Sequence, residues 1–265
     1  VYIRGHASDY DRWSQLGLTG WGWADVLPYF RKAEDSERGA DDYHGSGGPL
    51  HTSRKGALPH PLNAAFLEAA EQAGYRRTDD FNGPQFEGAG QYDATIKDGE
   101  RFSAAKAYLT DDVRKRPNLS IITGVQARRV LFEGRRAVGV EYAQGSETQS
   151  ALAREVILCG GAVNSPQLLM LSGIGPAAHL QQFGVPVVAD SPDVGGNLQD
   201  HLDVIVQWHC SQPITLNSNS KFVNKMIALG KWVFTRSGNG AHMPTPVGAF
   251  LSTREGLAAP DIQMH

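Results

Sequence analysis

A mixed α/β fold, with a parallel-sheet portion and a second, antiparallel sheet, is predicted for this chain by three observations. Glu155-Val156-Ile157-Leu158 is a continuous apolar run that ends in a glycine turn and leads into a helix carrying Leu168, Leu169 and Leu171, the order in which ligands sit at a strand's carboxyl end. Val125 to Phe132 and Ala137 to Tyr142 are β-rich runs joined across Glu133-Gly134-Arg135-Arg136, which reads as a hairpin. After an amphipathic helix at Phe222 to Phe234, Phe250 and the run Ile262 to His265 supply strands of a second sheet. A boundary near residue 201 follows, dividing the chain into 1–201 and 202–265.

The elements can be justified in order. Thr19 to Glu34 places Trp23, Leu27, Phe30 and Ala33 on one helical face, with Pro28 near a first turn or at a kink. Leu62 to Ala73 sets Ala65, Phe66, Ala69 and Ala73 in one stripe and ends at Gly74, a C-terminal cap. Ser103 caps a short helix through Leu109. Leu119 to Ile122 and Leu202 to Trp208 read as strands, and Ser165-Pro166 as the N-cap and first residue of the leucine-bearing helix.

Composition narrows the function. With 25 basic and 28 acidic residues, a net charge of -3 and 41% hydrophobic residues, the chain carries no electrostatic footprint for nucleic acid. No apolar stretch approaches the roughly 18 residues of a membrane span; association with a membrane surface is left open. Two cysteines, Cys159 and Cys210, make neither a disulfide framework nor a four-ligand zinc site, which fits a reducing, cytoplasmic setting. Thirty glycines, about one residue in nine, imply tight turns and close backbone approaches. Position 1 is not Met, and both ends read as strands cut in progress, so an interior piece of a longer protein is expected.

Several stock signatures nearly appear and fail on context. Gly173-Ile174-Gly175 with Ala178 imitates a dinucleotide loop but follows a helix, so it reads as a helix-terminating turn. Gly45-Ser46-Gly47-Gly48 lacks the Lys-Ser/Thr of a phosphate cradle. Asp200 and His201 are adjacent and point apart, which disfavours a hydrolase triad. The histidines, His44 among them, show no metal-ligand spacing and read as ordinary core or surface residues.

Three segments resist that bland reading: VYIRGHASDYDRW at the start, GAVNSPQLLMLSGIG from Gly161 to Gly175, and DVGGNLQDH from Asp193 to His201. Together with HGSGGPL at His44 to Leu50, RFSAAKAYL at Arg101 to Leu109, RPNLSIITG, AVGVEY and the final PDIQMH, they fall in a fixed order along essentially the whole chain. In this the chain resembles the glucose-methanol-choline oxidoreductases, FAD-dependent alcohol oxidases and dehydrogenases, and above all their choline-dehydrogenase-like branch. The fifteen-residue match from Gly161 to Gly175 covers every constrained position of that family's second signature.

The resemblance implies residues 1–201 as part of a FAD-binding domain of the FAD/NAD(P)-binding type and 202–265 as part of a substrate-binding domain with an antiparallel sheet, incomplete at both ends. The family's G-x-G-x-x-G loop and catalytic histidine would lie outside Val1–His265, so no catalytic residue is expected within the chain and no turnover or tight FAD binding from it alone. Residue by residue, Val1 corresponds to a neighbour of the flavin ring. Ala127 matches the position whose main chain reads the adenine edge. Gly160, Gly161 and Ala162 form the turn near the adenosine. His265, in P-D-[IV]-x-x-H, corresponds to a histidine of the substrate cavity that positions the alcohol and its developing alkoxide.

One departure bears on substrate. Choline-specific members carry a glutamate where Pro246 stands in Thr245-Pro246-Val247-Gly248-Ala249-Phe250, and a quaternary ammonium needs a carboxylate or an aromatic cage. A small neutral primary alcohol is therefore expected, oxidised to the aldehyde by hydride transfer to flavin, with oxygen or another electron acceptor closing the cycle. Two rivals stand beside this: a FAD-bearing hydroxynitrile lyase of the same fold, and a truncated, non-catalytic fragment.

Overall fold

The computed structural model describes residues 1–55, 60–217 and 221–265. They form two compact units, Val1–Leu119 with His209–His265, and Ser120–Trp208. Both parallel and antiparallel sheets occur, so the mixed α/β class holds. Contacts thus break the chain at Trp208–His209, and they also separate its first 119 residues from the segment that follows.

The first unit opens with α1 (Ala7–Gln15), whose start is closed by a reciprocal cap: His6 accepts from Ser8 N–H and Asp9 accepts from His6 N–H. α2 (Trp23–Ala33) packs on it through Tyr10, whose ring meets those of Trp23 and Phe30. Pro28 lies inside this helix rather than in its first turn. β1 (Glu34–Ser36) then pairs in parallel with β2 (Leu50–Thr52). α3 (Pro61–Gln72) follows, and Gly74, at φ 88°, takes the left-handed conformation that ends it, as the sequence predicts.

Next come β3 (Arg77–Thr78), β4 (Gly88–Gln91) and the short hairpin of β5 (Ile96–Lys97) and β6 (Glu100–Arg101). α4 (Ala104–Tyr108) is capped by Ser103 as expected, and α5 (Asp111–Arg114) by Thr110.

In the second unit β7 (Gln126–Glu133), β8 (Arg136–Gln144) and β9 (Glu147–Leu152) form an antiparallel sheet whose first turn is the predicted hairpin. The third strand, β9, has no apolar alternation and was not foreseen. α6 (Gly161–Leu171) carries the leucines and packs on β7. Its exit is the expected turn, Gly173 at φ 88°, leading into β10 (Ile174–Gly175), α7 (Ala177–Gln182) and β11 (Ala189–Asp190), which pairs in parallel with β10.

The chain returns to the first unit with α8 (Phe222–Thr235), then β12 (Val247–Leu251) and β13 (Ile262–Met264). These two strands complete a four-stranded sheet in the order β13-β12-β4-β3, in which only β3 and β4 are parallel. Alternate residues of β12 build both faces. Ala249 and Leu251 meet Phe66, Leu67 and Ala70 of α3, while Phe250 joins Phe81, Tyr92, Ala94 and Met243.

Three expected strands are absent among the described residues. Leu119–Ile122, Glu155–Leu158 and Leu202–Trp208 are irregular, and Ile157 is 77% exposed and Trp208 89% exposed. A strand exists only when a neighbour accepts its ladder hydrogen bonds, and no described segment pairs with them. The helix start is also corrected. α6 begins at Gly161, capped by Gly160, and Ser165 and Pro166 lie inside it. The Ser165 hydroxyl accepts from Gly160 N–H at 2.9 Å instead of capping a later turn.

Candidate functional site

Val1 and His265 belong to the same unit, and two consecutive residues connect them to it. Tyr2 N–H donates to the Asp93 carbonyl at 2.6 Å, making an antiparallel bridge that carries Val1 beside it. One residue earlier, the Tyr92 ring lies 5.8 Å from the His265 imidazole at an interplanar angle of 39°, and its hydroxyl donates to the Met264 carbonyl at 2.7 Å. Val1 and His265 are both exposed, so each presents its side chain outward from a buried support. Pro246 joins the same support: it is buried, and its carbonyl accepts from Tyr92 N–H at 2.8 Å. Pro246, directly before β12, is therefore a closed, uncharged position.

The other candidates lie together in the second unit. Ala127 is exposed on β7 opposite Tyr142, and the ladder skips Arg128 immediately after it, a β-bulge of the kind found beside binding sites. Gly160, Gly161 and Ala162 open α6, all exposed. Gly161 sits at φ 81°, and a Cβ built there would meet nothing within 4 Å. α6 has no acidic residue in its first turn and no side chain capping its first N–H groups. An open glycine at a helix start with free donors suits the polar edge of a nucleotide cofactor, so these residues fit such a group. β7 is tied to α6 through Ser172, whose hydroxyl accepts from Val130 N–H at 2.7 Å.

A buried charge cluster near the start of the chain was missed in the sequence. Glu34 accepts from Arg4 at 2.8 Å, His44 at 3.0 Å, Thr52 at 2.9 Å and the Gly45 N–H at 3.2 Å. His44 reaches Asp80 with its other ring nitrogen at 2.8 Å. Burial alone pushes the imidazole pKa down, but the hydrogen bonds to Asp80 and Glu34 and their charges outweigh it and raise it to about 9. For Glu34 and Asp80 burial acts upward, and His44 with the other donors brings both below the ordinary carboxylate value. His44 is thus a charged histidine fixed between two carboxylates, which scattered histidine spacing does not reveal. The available signal was its place in HGSGGPL, with Arg4 in VYIRGH.

Among the described residues no group of side chains is arranged to hold a metal ion, and no helix is long and apolar enough to cross a membrane.

Comparison with known proteins agrees with the segment order. Choline dehydrogenase, mitochondrial, of Mus musculus is 53% identical over all of this chain, which covers 44% of that protein. Oxygen-dependent choline dehydrogenase of Brucella anthropi is 48% identical, again over the whole chain and 48% of the relative. The chain therefore spans less than half the length of these relatives. A solved FAD-dependent oxidoreductase from Chaetomium thermophilum superposes with a TM-score of 0.80 at 27% identity, over 95% of this chain and 47% of that one. The family described as GMC oxidoreductase matches residues 1–203. With that match over most of its length and relatives about half identical along all of it, the chain belongs to the GMC oxidoreductase family.

Proposed function

We propose that this chain serves an enzyme that oxidises a neutral primary alcohol to its aldehyde with FAD as cofactor. The observation that carries the reading is the convergence of Val1 and His265 on the Tyr92–Asp93 pair, since it puts the flavin-side and substrate-side candidates on one support. The structural neighbour and the curated relatives, FAD-dependent and choline-oxidising by their names, support the same chemistry.

FAD, when bound, supplies the acceptor for a hydride leaving the alcohol carbon. The chain's own part is positional. Gly160, Gly161, Ala162 and the Ala127 main chain would hold the nucleotide end, and Val1 would flank the ring. His265 would donate to the alcohol oxygen and favour its developing negative charge. The proton-accepting base is not assigned to any residue of this chain.

The neutral substrate rests on Pro246, buried where a carboxylate would have to face a trimethylammonium group. A second reading, choline itself, is favoured by the names of the relatives at 53% and 48% identity. Anaerobic mixing of the full flavin-loaded protein with each alcohol decides. Bleaching of the flavin by aliphatic or aromatic alcohols, with poor saturation by choline, is expected. Saturation by choline at low concentration, with little response to neutral alcohols, overturns the neutral reading, and no bleaching by any alcohol overturns both.

A further inference from the structure

Tyr92 has 0% of its surface exposed, so its phenol hydroxyl must find a partner inside the protein. The partner it finds is the carbonyl of Met264, the residue directly before His265. The same ring is the surface against which the His265 imidazole rests. This contact matters because β13 is short, its last ladder pair is Met264 with Ala249, and its three residues are exposed. Beyond that pair the ladder offers His265 nothing. Orientation of the imidazole then depends on what holds the preceding carbonyl and what backs the ring, and Tyr92 does both.

The surroundings are shaped for that arrangement. A Cβ at Gly248 would lie 2.1 Å from the Met264 carbonyl oxygen and 2.3 Å from the Tyr92 hydroxyl, so the hydrogen bond passes over a residue that can only be glycine. Tyr92 is itself anchored by its N–H on the Pro246 carbonyl. Phe81 and Phe250 fix its ring from the core side, with centroids 5.0 Å and 6.3 Å away.

We propose that Tyr92 is the positioning residue for His265, its hydroxyl fixing the Met264 carbonyl and its ring setting the plane of the imidazole that meets the alcohol. The inference rests on the reading of His265 as a substrate-facing residue.

The test uses the full flavin-loaded enzyme and a double-mutant cycle. Tyr92→Phe keeps the ring and removes one hydrogen bond, so kcat/KM for the alcohol falls about five- to tenfold, the range that a single such bond supplies. In a His265→Ala background the same change costs less than about twofold, because the residue through which Tyr92 acts is gone. Equal losses in both backgrounds mean that Tyr92 is merely structural and overturn the proposal, as does an unchanged Tyr92→Phe enzyme. A second readout needs no turnover: with histidine labelled by carbon-13, Tyr92→Leu removes the ring current acting on His265 and shifts its resonance, whereas Tyr92→Phe moves it much less. An unshifted resonance in Tyr92→Leu overturns the placement. Failure of the wild-type flavin to bleach with alcohols would sink the functional reading separately, with the resonance still deciding the placement.

Discussion

Glu34 and His44 share a hydrogen bond of 3.0 Å with both side chains completely closed to solvent. A buried ionic contact is weak evidence of net stabilisation, yet removing one partner leaves the other charge uncompensated. Here Arg4, Thr52 and Asp80 complete the cluster, and each partner's charge is matched.

Glu34→Gln is expected to destabilise the first unit by about 3–5 kcal/mol, the usual cost of breaking a buried pair on one side. Chemical denaturation of the full protein, followed by tryptophan fluorescence, measures it. A loss below about 1 kcal/mol would show that the cluster is solvated or rearranges freely.

The same cluster gives stability a pH dependence whose sign follows from the shifts. The His44 pKa is raised in the folded protein from 6.5 to about 9, so its contribution is fully present below pH 6.5 and fades as pH rises to about 9. Glu34 and Asp80 are lowered, so their contribution is present above their ordinary values and is lost on acidification. Stability of wild-type protein should therefore decline between pH 6.5 and 9, and His44→Gln should flatten that decline. An identical slope in the variant would refute the assignment.

Gly161→Ala forces an alanine into φ 81°. The expected cost is about 1–2 kcal/mol of strain, with no clash to add to it. If FAD approaches this turn, as proposed, the same substitution weakens FAD binding beyond what the strain explains. Isothermal titration of the apoprotein with FAD, compared with the thermal midpoint, separates the two.

Ser172→Ala removes the acceptor for Val130 N–H, which is buried at the contact of α6 and β7. A loss of about 1–3 kcal/mol is expected from the unsatisfied donor. Hydrogen exchange at the Val130 amide should accelerate more than at the amides of β9, which α6 does not hold. Uniform acceleration across the sheet would point to global loosening instead.

The predicted elements that proved correct carry their information locally. The Glu133–Arg136 turn, Gly74 after α3 and Ser103 before α4 each solve a problem within a few residues, and those solutions are written in the sequence. Glu155–Leu158 looks equally decisive but reports only that a strand would be comfortable there; its existence depends on partners elsewhere. β4 shows the reverse. Gly88-Ala89-Gly90-Gln91 has poor strand propensity, yet it is a central strand, because a Cβ at Gly90 would fall 2.3 Å from the Thr78 carbonyl oxygen and only glycine permits that approach. The candidate site divides similarly. Motif order nominates Val1, Ala127, Gly160 and His265 as candidates, whereas Tyr92 and the Glu34–His44 pair depend on contacts between distant segments.

The sheet order β13-β12-β4-β3 also has a kinetic meaning. One half, β13 and β12, comes from residues 247–264 and the other, β4 and β3, from residues 77–91, with the whole second unit lying between them in sequence. The second unit is one continuous stretch rich in neighbouring-strand contacts and can assemble early, while the first must wait for a loop closure across more than one hundred and fifty residues. During synthesis β4 therefore spends that interval with an unpaired edge, the state in which strands recruit the wrong partner. Chains stopped short of Val247 should accumulate as aggregates, and the arrival of β12 is the event that makes the first unit safe.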